Sequence, residues 1–192
     1  MGDGTLARMP AFAIRTYGDP VLRQRAAEVT DIDAALRRLV DDMIDTMYDA
    51  SGLAVAAPQV GVERRLFVYD LNDDRGPQVM INPVIEELDG EWAYDEGCLS
   101  VPGLYFTIRR PKDALVRGLD LDGNEVRIEA TTLEARMFQH EIEHLDGHLL
   151  LERVTPAQRK AGLRILRERQ VTGGPRRPPT VVIDEDGGIA DD

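Results

Sequence analysis

Residues 132–147 read TLEARMFQHEIEHLDG, and the placement of this stretch decides the fold. Leu133, Met137 and Leu145 recur at helical spacing and Gly147 suits the left-handed residue that ends a helix, so the pattern predicts a helix over about 132–145. His140 and His144 stand at i and i+4 on the inward side of that helix. Residues so spaced have Cβ atoms about 5–6 Å apart, close enough to grip one metal ion. Glu141 lies about 100° round the helix from His140, so it flanks such an ion without ligating it, where a general base is needed.

Outward from this helix, residues 113–120 and 124–130 read as strands joined at Asp122-Gly123, a dipeptide that favours a tight hairpin. Earlier strands are expected at 65–71 (RLFVYDL) and 78–85 (QVMINPVI). Residues 31–50 place Ile32, Leu36, Leu39, Val40, Met43, Ile44 and Met47 on one helical stripe, with Thr30 or Asp31 as N-cap. Thr155 and Pro156 open a last helix over about 156–170. Residues 173–192, rich in Gly, Pro and acids, read as a mobile tail beyond a single catalytic domain of residues 1–172. The order helix, strands, helix, helix gives an α+β fold in which mostly antiparallel strands surround the metal-binding helix, between an N-terminal amphipathic helix and a C-terminal one.

The chain has 192 residues, 43% of them hydrophobic, enough for one core. One cysteine forms no internal disulfide, so nothing points to an oxidising compartment. The N-terminus lacks a basic start followed by a long apolar stretch, and no apolar run approaches the roughly 18 residues of a membrane span, so a cytoplasmic, membrane-free protein is expected. A net charge of −12 argues against general or sequence-specific nucleic-acid binding. Against that balance, residues 153–177 carry eight Lys/Arg and one acid, either a solvated helix face or a docking patch for an anionic partner.

HExxH needs a third ligand to become a catalytic site. His148 would follow on the same side if the helix continued, but Gly147 ends it first, and an exposed or structural histidine is the simpler reading. Cys98, 42 residues before His140, is either a small buried hydrophobe or a thiolate ligand. Gly97 beside it allows close backbone approach, and a Cys-His-His set leaves one tetrahedral position open, the pattern of a catalytic rather than a structural site. The segment GLAVAAPQ (52–59) is small enough to pass close to a metal or ligand, and Gln59 offers an amide donor; a tightly packed turn is the plainer reading.

GLAVAAPQ (52–59), EGCLS (96–100) and HEIEH (140–144) together resemble one family, the peptide deformylases, which carry a Gly-rich AAxQ, an EGCLS and an HExDH motif in that order. The likeness runs from about Tyr17 to about residue 153. It departs at Ala54, where the family has its second glycine, and at Glu143, where it has Asp.

The resemblance implies removal of the formyl group from N-formylmethionine of nascent proteins. It assigns the single ion to Cys98, His140 and His144, proton transfer to Glu141, and oxyanion stabilisation to Gln59 and the backbone N–H of Leu99. Substrate would contact Leu53, Ala54, Val55, Gly97, Leu133 and Met137, and Glu96 would form a salt bridge with Arg110. Ferrous iron is the implied metal, with Zn2+, Ni2+ or Co2+ able to take the same ligands. The basic C-terminal helix would dock on the ribosome. Two other readings stand beside this one: a zincin-type metallopeptidase, with His148 or Glu152 as third ligand, and a non-enzymatic module stabilised by its metal.

Overall fold

Asp33 starts the first helix in the computed structural model, which describes residues 12–172 and 178–190. Its carboxylate accepts the Leu36 N–H at 2.8 Å, so α1 runs Ala34–Asp49, and the cap falls two or three residues later than Thr30 or Asp31. Then follow β1 (Ala54–Ala56), β2 (Leu66–Tyr69), β3 (Gln78–Asp89), β4 (Trp92–Cys98), β5 (Val101–Arg110), β6 (Asp113–Leu119), β7 (Glu125–Thr131), α2 (Thr132–Leu145), α3 (Pro156–Thr172), β8 (Val181–Ile183) and β9 (Ile189–Ala190). This is a mixed α+β architecture. One sheet runs β1-β2-β3-β6-β7, entirely antiparallel; the other runs β4-β5-β8-β9, antiparallel except where β8 lies parallel to β5. Among the described residues, no helix is long and apolar enough to cross a membrane.

The five-stranded sheet buries side chains on both faces. Leu36, Val40, Met43 and Met47 of α1 pack with Val55, Val68 and Ile81. Ala135, Phe138, Ile142 and Leu145 of α2 pack with Phe67, Tyr69, Met80 and Val116, and Phe138 meets Tyr69 edge-on at 5.2 Å. Leu133, expected on that inward stripe, is 39% exposed, and burial on α2 begins at Ala135. Gly147 ends α2 as expected, at φ +80°. Its N–H bonds the His144 carbonyl and the His148 N–H bonds the Glu143 carbonyl, a Schellman closure. A Cβ at Gly147 would lie 2.8 Å from the Arg23 carbonyl oxygen. Gly147→Ala should therefore cost at least about 1–2 kcal/mol, roughly 2–8 °C in Tm for a chain of this size, measurable by thermal unfolding.

The mobile tail expected over 173–192 is corrected for residues 178–190. Val181-Val182-Ile183 is a β-branched run that adds to the open edge of β5, with Ile183 fully buried against Leu104, Phe106 and Leu166. Gln158 of α3 donates to the Thr107 and Ile183 carbonyls, and Arg169 to the Pro102 and Pro179 carbonyls, so one helix clamps both strands. Residues 173–177 and 191–192 lie outside the described residues.

Candidate metal centre

Cys98 ends β4 at a register shift: Gly97 pairs with Tyr105, but Cys98 pairs with Val101. Such an irregularity re-aims a side chain, and here the thiol turns to α2, with Sγ 3.2 Å from His144 Nε2. His140 and His144 sit one turn apart, their ring centroids separated by 4.9 Å. One ligand atom from each of Cys98, His140 and His144 lies within 4.8 Å of the others, the one such cluster of three or more among the described residues. A thiolate and two imidazoles suit a transition-metal ion and leave a coordination position open. Burial, and then the neighbouring His140, push His144 well below the usual histidine range, so it is a neutral imidazole, the form that ligates.

His140 is oriented from behind. Its Nδ1 lies 2.6 Å from Glu96 Oε1, which leaves Nε2 for the ion. Burial opposes a charge on Glu96, but the His140 ring and the Arg110 guanidinium outweigh it and hold the carboxyl well below the usual range. Arg110 grips Glu96 through Nε and Nη2, both at 2.8 Å, which is the expected salt bridge, and also bonds Glu143 at 2.6 and 2.9 Å. Glu143 thus faces away from the ligand cluster, and its longer side chain reaches Arg110 and Arg153.

Gln59 lies in a short 3-10 turn, Ala57–Val60, that follows β1. Its Oε1 accepts the Ala56 N–H at 2.9 Å, a bond only the oxygen of an amide makes. That fixes Nε2 towards Cys98 Sγ (3.7 Å) and Ser100 Oγ (3.2 Å). Glu141 is 5% exposed, and burial raises its carboxyl to about 7; its Oε2 accepts no hydrogen bond. A buried carboxyl poised near neutrality beside a ligand cluster has the character of a proton carrier. Leu99 is partly buried and packs with the core around α1 and β1, its side chain passing close to Gly52.

The other expected residues divide. Met137 is buried, while Leu53 and Leu133 are exposed apolar side chains, and Ala54 is at the border of burial. Val55 is corrected: strand alternation turns it into the α1 cluster, where it is fully buried and has no surface for substrate. Gly97 also has another office, since a Cβ there would lie 2.6 Å from the Tyr105 ring that crosses the strand. His148 is solvent-facing and tied to Glu152 at 2.9 Å, outside the ligand cluster. Sequence reasoning passed over Arg136, which is 3% exposed and bonds Glu96 at 2.7 Å. Its signal was a lone charge four residues before His140, on the buried face.

A family model described as polypeptide deformylase matches residues 11–160. A peptide deformylase from Thermodesulfovibrio yellowstonii is 45% identical over 155 residues, covering 79% of this chain and 94% of that protein. The solved structure of a peptide deformylase from Legionella pneumophila is similar with a TM-score of 0.80 at 38% identity, over 87% of this chain and 99% of that one. A peptide deformylase from Synechococcus elongatus, solved in complex with actinonin, gives 0.77 at 38% identity, over 90% and 94%.

Proposed function

The chain belongs to the polypeptide deformylase family, and from that membership we propose which of its residues carry the family's reaction. The protein is a hydrolase that removes the formyl group from the N-terminal formylmethionine of newly synthesised proteins and releases formate. The observation that carries the residue assignment is the convergence of Cys98, His140 and His144 beside the buried Glu141, whose Oε2 accepts no hydrogen bond.

Cys98 Sγ and the Nε2 atoms of His140 and His144 hold the ion, which we take to be ferrous iron; Zn2+, Ni2+ and Co2+ fit the same donors. When bound, it supplies a Lewis acid that polarises the formyl carbonyl and acidifies water. Glu141 takes the proton of the attacking water as its oxygen bonds to the formyl carbon. The C–N bond then breaks with its electron pair on nitrogen, and Glu141 returns the proton there, leaving formate and a free methionine amine. Gln59 Nε2, aimed at the cluster, and the Leu99 N–H receive the developing oxyanion. Gln59→Ala is therefore expected to lower kcat by about 10²–10³ with little change in metal content, read by formate release and metal analysis.

Leu53, Leu133 and Met137 supply apolar surface for the methionine side chain. β1 and β4 each end a sheet and lead to Gln59 and Cys98, so an extended peptide has a free strand edge on either side, with Ala54 and Gly97 as backbone neighbours. The catalytic domain runs through α3 to residue 172, with β8–β9 as an added edge hairpin, in the cytoplasm where nascent chains arise. A peptidase reading has no support from its candidate third ligands, since His148 faces solvent and pairs with Glu152, outside the ligand cluster.

On α3, Arg159, Lys160, Arg164 and Arg167 are exposed, and Arg159, Lys160 and Arg167 line a shallow groove of about 350 Å³ with Pro156 and Leu163. We read this face as a ribosome-docking surface. Reversing charge at Arg164 and Arg167 should weaken co-sedimentation with ribosomes and leave hydrolysis of a short peptide unchanged; unchanged sedimentation removes the idea. The reaction itself is tested with a formyl-methionyl tripeptide. One formate and one free amine should appear per substrate, with the internal amides intact; cleavage inside the peptide would overturn the assignment.

A further inference from the structure

Arg136, His140 and His144 stand at i, i+4 and i+8 and share one face of α2, yet Arg136 points not at the ligand cluster but at what holds it. Its Nη1 donates to Glu96 Oε2 at 2.7 Å, and its Nη2 donates to the Trp92 carbonyl at 2.6 Å and the Ile108 carbonyl at 3.0 Å. Trp92 and Glu96 lie on β4, which ends at Cys98, while Ile108 lies on β5. One guanidinium therefore ties the helix that carries both histidines to the strand that carries the thiol. The planar fork reaches acceptors in two directions at once, which an ammonium cannot do. Trp92 and Tyr94 stack at 4.5 Å, and the Arg136 guanidinium lies 5.1 Å and 5.9 Å from their ring centroids, which restrains it further.

Charge adds to the geometry. Arg110 is divided between two carboxylates, Glu96 and Glu143, whereas Arg136 serves Glu96 alone. Glu143 has Arg153 as a second partner, whereas the buried Glu96 depends on Arg110 and Arg136. Without Arg136, Glu96 keeps one guanidinium, shared with Glu143, and loses a bond at Oε2 that fixes its plane. Oε1 of the same carboxylate orients His140 through Nδ1. Outer partners of this kind typically contribute 10–100-fold to metal affinity.

Resting on the Cys98–His140–His144 reading, we propose that Arg136 is a positioning residue of the metal centre: it sets the gap between Cys98 and the two histidines by pinning β4 and Glu96 to α2. The test uses the whole chain loaded with Co2+, whose visible absorption reports thiolate and imidazole geometry. Arg136→Met should lose Co2+ to a chelator at least about 10-fold faster than wild type, with a shifted spectrum, and kcat should fall while KM changes less than about two-fold. Arg136→Lys, which restores the charge but not the fork, should fall between the two. Val40→Ala, a core truncation on α1 across the sheet from α2, should lower stability and leave the spectrum and metal loss unchanged. Wild-type spectrum and metal retention in Arg136→Met overturn the proposal, as does metal loss in Val40→Ala equal to that in Arg136→Met. If Arg136→Met does not fold, Arg136→Lys decides: metal loss at the wild-type rate overturns the proposal, and faster loss with a shifted spectrum upholds it. Failure of the metal-site reading itself would look different, because wild type would then bind no Co2+ with a thiolate signature.

Discussion

Glu141→Ala is expected to lower kcat for formate release by about 10²–10⁴ while the protein keeps its metal and its fold. The side chain is buried on α2 between core residues, next to a ligand yet outside the ligand cluster. Burial raises its carboxyl to about 7, so at neutral pH it exchanges a proton at small free-energy cost in either direction. Removing the carboxyl strands no backbone donor, because the neighbouring Ala56 N–H retains Gln59 Oε1 as its acceptor. Structure should therefore survive where chemistry does not. Formate assay, metal content and thermal unfolding on the same preparation separate the two. An active variant removes Glu141 from the proton-transfer role, and an inactive one that has also lost its metal reassigns it to holding the site.

Cys98→Ala is expected to reduce metal affinity by more than the 10–100-fold that outer partners supply, and to abolish formate release at ordinary metal concentrations. Two imidazoles on one helix turn remain, but they no longer surround the ion. The substitution should be gentle for the fold. Cys98 is only partly buried, and Gln59 Nε2, which loses Sγ as acceptor, keeps Ser100 Oγ at 3.2 Å. Dialysis against a chelator followed by metal analysis measures the effect. Wild-type metal retention in Cys98→Ala contradicts the ligand assignment.

The parts of this molecule legible in sequence are those whose signal is local. The α2 span, its Gly147 stop, the β6–β7 hairpin at Asp122-Gly123 and the Thr155-Pro156 start of α3 rest on periodicity and turn chemistry within a few residues. Cys98, His140 and His144 were recoverable because their chemistry is rare and their motifs are dense. What sequence concealed depends on contacts between distant segments. β4, WAYDEGC, shows no apolar alternation, since its one buried member is Glu96, whose partners lie on β5 and α2. β5 is interrupted by Pro102 and Gly103, so it reads as loop until Val101, Leu104, Phe106 and Ile108 are seen to share a core. Val55 was implied as a substrate contact by the resemblance alone, and its burial depends on α1 and on β2 and β3, segments distant from it in sequence. Val181–Ile183 was hidden by the Gly, Pro and acidic residues around it, and it becomes a strand because β5 offers an unpaired edge. Arg136 is the sharpest case: a charge on an apolar helix face is unfavourable until Glu96, Trp92 and Ile108 arrive from other strands.

The most direct measurement is a metal titration of activity. The chain, stripped by chelator and kept free of oxygen, is titrated with ferrous ion while formate release from a formyl-methionyl peptide is followed. A single ion held by Cys98, His140 and His144 requires no activity in the stripped chain, a linear rise, and a break at one equivalent. Full activity in the stripped chain, or a break at any other stoichiometry, contradicts the proposed site.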